Sequence, residues 1–309
     1  MTVDTRSYII PTAILWESYN EHTEDKNFMA NVVEKVLQDG FYKSMELKSI
    51  ADKSERKRIN AALSKSNIYT SVWISKSLAT QNLDINSLDE NLRKKTVDEV
   101  RKNIDLACEM GANAIALDGG NNVGIFKRSA AYEALIKSLS EVADYAKKAK
   151  LDVLIESDDR FAHRKKLLSL VDDVHEVIEL LRKDHKNVFI SFDTAHVALN
   201  RENVISSFDT LSPFISQVHL SNAILDINDP LYGDNHIAPG YPGFLTIKKA
   251  ADLILHAKYG GFNKDTGLRV GVEFRQKNDG PKVHRTYQMS ADFLNQVILE
   301  VILTDMLKK

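Results

Sequence analysis

The chain has 309 residues, of which 43% are hydrophobic and 27% charged, with 41 basic side chains against 43 acidic ones. That length suits one large α/β domain or two modest ones, and the near balance of charge gives no global footprint for a polyanion, so neither nucleic acid nor a membrane is an expected partner. A single cysteine, Cys108, rules out a disulfide within the chain.

Apolar runs bounded by turn and capping signals predict strands that begin near Tyr8, Lys43, Asn67, Asn113, Asp152, Val188, Ile215 and Leu268. Ahead of the first, Met1–Ser7 carries Asp4 and Arg6 and lacks the shape of a secretory leader; no segment approaches a membrane span, and a cytoplasmic protein is the expectation. Each interval between strands holds a helical pattern. Phe28 to Gln38 stops at Gly40, Leu88 to Met110 stops at Gly111, and Ala130 to Lys150 repeats apolar residues at Leu135, Leu139, Val142 and Ala146. Cys108 lies in the second of these and is expected to face the barrel as a small apolar residue. The last helix, Ser290 to Lys308, gathers Phe293, Leu294, Val297, Ile298, Val301 and Ile302 on one broad side, which reads as the outer helix that closes the barrel. The same face leaves a homodimer or homotetramer open.

Eight alternations with no Gly/Pro/Ser-rich linker predict an α/β fold, a closed (β/α)8 TIM barrel, with residues 1–309 as a single domain. A dinucleotide fingerprint is absent, since Gly119 to Gly124 lacks its spacing.

Four predicted strands finish on a metal-capable side chain: Glu156, Asp193, His219 and Glu273. Three carboxylates and one imidazole at successive strand ends describe a divalent-metal site at the mouth of a barrel. Taken singly, each has a plainer reading. Asp193 before Thr194 serves equally well as a helix N-cap, and His219 as a hydrogen-bonded core histidine; recurrence on the fifth to eighth strands favours the site. Asn222 to Thr246, rich in Pro, Gly and Tyr, hangs over the same face and adds Asp234 and His236. Trp16 and Glu17 after the first strand, and Trp73 at the end of the third, are candidates for the wall of the pocket. Lys48, Arg160 and Arg275, just past the second, fifth and eighth strands, read as solvated charges, with a substrate phosphate or carboxylate as the alternative partner.

The segments Ile155-Glu156, Phe192–His196, Val218–Ser221, Asp234–Gly240 and Val272–Phe274, in this order, resemble the xylose isomerase-like barrel superfamily, which includes ketose 3-epimerases, inosose-processing enzymes and endonuclease IV. Gly40–Leu47 and Asn82–Ala112 extend the resemblance over the first half. It implies that Glu156, Asp193, His219 and Glu273 bind one divalent ion, Mn by preference with Mg, Co or Zn open, that His196 contacts the substrate and that His236 helps line the pocket, with Asp234 in a weaker part. Glu156 and Glu273 are then the acid/base pair of an isomerase or epimerase acting on a small carbohydrate, a sugar, sugar phosphate or polyol ketone, through a metal-stabilised enediolate, with an inosose dehydratase-like lyase as the alternative. The chain departs from its relatives in two places. The strand ends Ser71–Lys76 and Ala116–Gly120 lack the extra histidines of endonuclease IV, which counts against a three-zinc nuclease. Leu225 stands where tagatose- and psicose-type epimerases place an arginine, which counts against a free ketohexose. A non-catalytic carbohydrate-binding barrel is the remaining reading.

Overall fold

Nine strands form in chain order: β1 (Ile9–Ile14), β2 (Ser44–Lys48), β3 (Tyr69–Trp73), β4 (Ala114–Asp118), β5 (Asp152–Glu156), β6 (Val188–Asp193), β7 (Ile215–Ile224), β8 (Gly233–Ile237) and β9 (Leu268–Glu273). Eight run parallel in the order β6-β5-β4-β3-β2-β1-β9-β7, and pairing of β6 with β7 closes the ring. With helices between successive strands, the chain is a (β/α)8 barrel. The computed structural model describes residues 5–20, 25–275 and 284–308; Met1–Asp4, part of the segment read for a leader, lie outside the described residues. No helix among the described residues is long and apolar enough to cross a membrane.

Each barrel strand starts within two residues of its predicted start. Helix ends follow local chemistry: Gly40 and Gly111 close their helices at φ 72° and 78°, where a side chain is disfavoured, and Asp89 and Asn203 accept backbone N–H groups at the starts of theirs. The last helix begins at His284 instead of Ser290. Its Leu294, Val297 and Val301 are buried in the core and Phe293 and Ile298 pack half-buried against it, as the predicted apolar side requires, whereas Leu299, Leu303 and Met306, outside that side, are exposed. Cys108 packs against the edge of the core. It is half-buried with its Sγ 3.9 Å from the Ala149 carbonyl, at the seam between two helices.

β8 is absent from the predicted strands. β7 runs past the rim of the barrel to Ile224 and turns back on itself, pairing Asn222 with Ile237 and Ile224 with Gly233 in an antiparallel hairpin. The polar run Gly233 to His236 gives no alternation signal because it pairs on one edge only and points into a polar site.

Two further features aim the site. Between Ile190/Ile215 and Ser191/Gln217 the β6–β7 register shifts, leaving Ser216 as an extra residue. Gln217 and His219 thereby share the lumen side with Ser191 and Asp193. Loops at the strand C-termini also support one another: Asn122 N–H donates to Lys165 O (3.0 Å) and Leu167 N–H to Gly120 O (2.9 Å). Gly120, at φ 78°, lies so close to Asn86 that a Cβ would collide with its side-chain oxygen. Gly119 and Gly120 thus serve a tight loop contact.

Candidate active site

Glu156, Asp193, His219 and Glu273 stand at the ends of β5, β6 and β9 and inside β7, and the structure brings them together. One ligand atom from each lies within 4.8 Å of the other three, and all four side chains are buried. His219 Nδ1 is 2.8 Å from Glu273 Oε2, 3.1 Å from Glu156 Oε1 and 4.0 Å from Asp193 Oδ2. Ligand atoms at about 2.1 Å from one ion sit roughly 3.0 to 3.4 Å from their neighbours, so the donor set and its spacing fit a divalent ion. The four strands are consecutive in the ring, and the cluster forms an arc on one side of the lumen with Glu156 and Glu273 at its ends. Across from it stand Trp16 and Trp73, with ring centroids 5.7 Å apart, and Trp73 lies 5.3 Å from the His219 ring.

Backbone and buried partners fix each of these groups. Asp193 Oδ1 accepts from Ala195 N (2.7 Å) and His196 N (3.0 Å), while Oδ2 takes the Ser221 hydroxyl. It is N-cap and site residue at once. His219 Nε2 lies 2.9 Å from Glu46 Oε1, and Gln217 Nε2 donates to Glu46 Oε1 and Ser191 Oγ, both at 3.1 Å. With Glu46 holding a proton on Nε2, an ion in the cluster would displace the Nδ1 proton and meet its lone pair. Trp16 Nε1–H points to the other Glu46 oxygen at 3.4 Å.

Burial raises the Glu156 carboxyl to about 8, with a hydrogen bond from His219 opposing and the Glu273 charge adding to the rise. Burial also acts upward on Glu273, but hydrogen bonds and charge from His219 and His236 outweigh it and hold that carboxyl well below the usual range. His219 is driven down by burial and up by Glu46, Glu156 and Glu273, and the carboxylates win.

The other expected residues surround this cluster. His196 is buried with Nε2 3.6 Å from Asp158 Oδ1 and Nδ1 3.4 Å from Asp159 Oδ2. His236, carried in by β8 at φ 48°, has Nδ1 3.1 Å from Glu273 Oε1 and 3.4 Å from Glu17 Oε1. Arg164 Nε binds Asp234 Oδ2 at 2.6 Å, and its Nη2 lies 2.5 Å from His236 Nε2. A guanidinium only donates, so it places the imidazole proton on Nδ1, facing Glu273. Lys48 reaches Asn20 Oδ1 at 3.3 Å, and Arg275 pairs with Glu17 Oε2 at 2.8 Å.

Arg160 is neither solvated nor in the site. It is 2% exposed and ties Asp173, the Leu167 carbonyl and the Tyr132 hydroxyl together behind the β5 loop. Leu225 is half-buried against Ala195, Leu199 and Ala223, away from the cluster, and the cation beside the pocket comes from Arg164 instead. Glu46, Gln217, Asp158 and Arg164 escape the sequence reading. For Glu46 and Gln217 a signal exists, since a polar residue within a barrel strand at lumen-facing spacing is costly to bury without partners. For Asp158 and Arg164, which lie in a loop, there is none.

A family model described as a xylose isomerase-like TIM barrel matches residues 33–296. Fructoselysine 3-epimerase of Shigella flexneri is 22% identical over 175 residues, 57% of this chain and 59% of that protein. The enzyme of the same name from Escherichia coli O157:H7 is 21% identical over 174 residues, 56% and 59% of the two chains. The chain therefore spans 59% of the length of these curated relatives. Among solved structures, a D-psicose 3-epimerase in the presence of D-fructose superposes with a TM-score of 0.71 at 15% identity, covering 95% of this chain and 99% of the other. A D-tagatose 3-epimerase-like protein gives 0.68 at 18%, covering 94% and 99%, and an IOLI protein with a binding zinc atom gives 0.68 at 14%, covering 95% and 98%. At these identities the likeness is one of fold.

Proposed function

We infer that this chain, which belongs to the xylose isomerase-like TIM-barrel family, is a divalent-metal-dependent isomerase or epimerase acting on a sugar or a related polyol ketone. The observation that carries the reading is the convergence of Glu156 and Glu273 on His219 Nδ1, at 3.1 and 2.8 Å, from the two ends of one arc of strands. Two buried carboxylates at that separation can address a single carbon placed between them.

Glu156, Asp193, His219 and Glu273 would hold one ion, Mn by preference, with Mg, Co and Zn compatible with the same donors. When bound, it supplies positive charge that polarises a carbonyl. Glu273 and Glu156 each carry a second oxygen, so one can take the proton from the carbon next to the carbonyl and the other can return it. Return from the opposite face gives an epimer; return to the neighbouring carbon gives an isomer. His236 Nδ1–H orients Glu273, His196 meets the substrate's hydroxyl groups, and Trp16 walls the side across from the carboxylates. The curated relatives, named fructoselysine 3-epimerases, support the same reaction class. A small carbohydrate substrate, a cytoplasmic location, a single domain and a homodimer or homotetramer belong to this reading.

The test is exchange of substrate protons with deuterated solvent, screened by NMR over ketoses and inososes with Mn supplied. Exchange and product should appear with wild type. Glu273→Gln should cut the rate by roughly 10² to 10⁴ while keeping its metal, and Asp193→Asn or His219→Ala should lose the metal. Near wild-type turnover by Glu273→Gln would sink the two-glutamate mechanism.

A further inference from the structure

The helix Val204–Leu211, the helix Ile247–Tyr259 and the β7–β8 hairpin do not close on one another. Between them lies a cavity of about 440 Å³, within the size range of small-molecule pockets. Its floor is apolar: Ala198, Leu245 and Leu253 are buried there, and Leu225 and Phe244 form a half-buried wall. The polar group at the bottom, the Thr194 hydroxyl, is already engaged, donating to the Ser221 carbonyl at 2.8 Å and accepting the Ser221 N–H at 3.0 Å. An occupant therefore needs an apolar body.

The rim is cationic. Arg201 and Lys249 line the cavity and are exposed, and among the described residues neither forms an ion pair. Arg201 stands at φ 64°, just past the helix Thr194–Leu199, where a side chain is disfavoured and glycine is usual. There its Nη2 donates to the Leu225 carbonyl at 2.9 Å, which ties the guanidinium to the apolar wall and leaves its other N–H groups for a ligand. Lys249 Nζ lies 5.5 Å from the centroid of the Phe244 ring, the other part of that wall. Two acids share the rim but are engaged elsewhere, Asp252 with Lys248 at 3.0 Å and Glu202 with the Val171 N–H at 3.0 Å. Single unpaired cations are ordinary on a protein surface. Two of them on the lip of one apolar cleft, each held against its wall, match an anion with an apolar body.

We propose that this cleft binds a small carboxylate with an aromatic or branched apolar body, which lies on Leu225, Phe244, Leu245 and Leu253 while the carboxylate meets Arg201 and Lys249. A guanidinium can take a carboxylate through two parallel N–H bonds. The site stands apart from the strand-end cluster and needs no metal. Its walls nevertheless reach the candidate active site: Thr194 follows Asp193, and Phe244 N–H donates to the Ala223 carbonyl at 3.0 Å, at the return of the hairpin that carries Asp234 and His236. Leu225, Phe244 and Tyr232 pack with Ala195, Leu199 and Ala223 in a small cluster separate from the main core. A ligand in the cleft enlarges the apolar contact that holds the hairpin down.

The experiment is calorimetric titration of the full chain with 3-phenylpropionate and with its amide, 3-phenylpropionamide, with and without MnCl2, alongside hydrogen-exchange mass spectrometry. Wild type should bind the acid at least about 10-fold more tightly than the amide, equally with and without Mn, and the acid should slow exchange in residues 198–205 and 223–253. Lys249→Gln and Arg201→Gly should each weaken the acid about 10-fold and leave the amide unchanged. Glycine suits the left-handed backbone at position 201, so both variants should melt like wild type. Equal affinity for acid and amide, no binding of either, or binding that both variants leave intact would overturn the proposal. Protection confined to the barrel mouth, or affinity that depends on Mn, would place the acid on the strand-end cluster and overturn the cleft while supporting the metal reading. A chain that binds the acid in the cleft but binds no metal would keep this proposal and sink the metal-dependent function.

Discussion

Asp193 serves two demands with its two oxygens, and so resolves what the sequence left open between helix cap and site residue. Oδ1 caps the helix Thr194–Leu199 while Oδ2 faces the cluster. His219 divides its ring nitrogens in the same way between Glu46 and the carboxylates. Both residues were legible because each ends or interrupts an apolar strand run. Glu46 sits in such a run too, yet its partner is 173 positions away, and no local pattern reveals that. Arg160 fails for the opposite reason: a charged residue after a strand looks solvated until the chain folds Asp173 and Tyr132 around it. If Glu46 orients His219, Glu46→Gln should weaken Mn binding about 10- to 100-fold with little change in the melting of metal-free protein. Calorimetric titration of the variant checks this, and wild-type affinity would end the positioning role.

At the scale of elements, the barrel strands were readable from apolar runs and glycine stops, while the β7–β8 hairpin was not. Its hold is tertiary. Asn222 Nδ2 donates to the carbonyls of Ala238 and Gly240, and its Oδ1 accepts from Leu245 N–H, each at 2.8 Å. This side chain anchors the return of the hairpin that carries Asp234 and His236 to the site, alongside the Arg164–Asp234 pair. Asn222→Ala removes three hydrogen bonds at about 1 kcal/mol each, which predicts roughly 100-fold faster amide exchange over residues 233–246 with the barrel strands unchanged. Exchange mass spectrometry reads this directly. Unaltered protection would assign the anchoring to the Arg164–Asp234 pair instead.

For the whole molecule, concentrating buried acids at one end couples stability to pH and to metal. Burial lifts Glu156 to about 8 and Asp158 to about 7, so without metal the folded chain keeps protons that the unfolded chain has already released. Between the unfolded carboxylate range near pH 4.5 and pH 8, the stability of metal-stripped protein therefore falls as pH rises. A bound ion displaces those protons, and at 100 times its dissociation constant adds about 2.7 kcal/mol. The gap in Tm between Mn-loaded and metal-stripped protein should widen from pH 5.5 to pH 8. Thermal melts at fixed salt would show it, and a gap indifferent to pH would mean that these carboxyls are not lifted.

The unpaired Ser216 also has a consequence for how the chain can be edited. Deleting it would pull Gln217 and His219 one place back along β6 and turn both toward the helices, with no change to any letter of the site. Many side chains of β7 could be exchanged with less damage than the loss of this single residue, whose hydroxyl accepts from Arg269 but whose place in the backbone sets the register. An alignment of distant barrels that slides one gap across this strand would pair the right residues in print and the wrong ones in space.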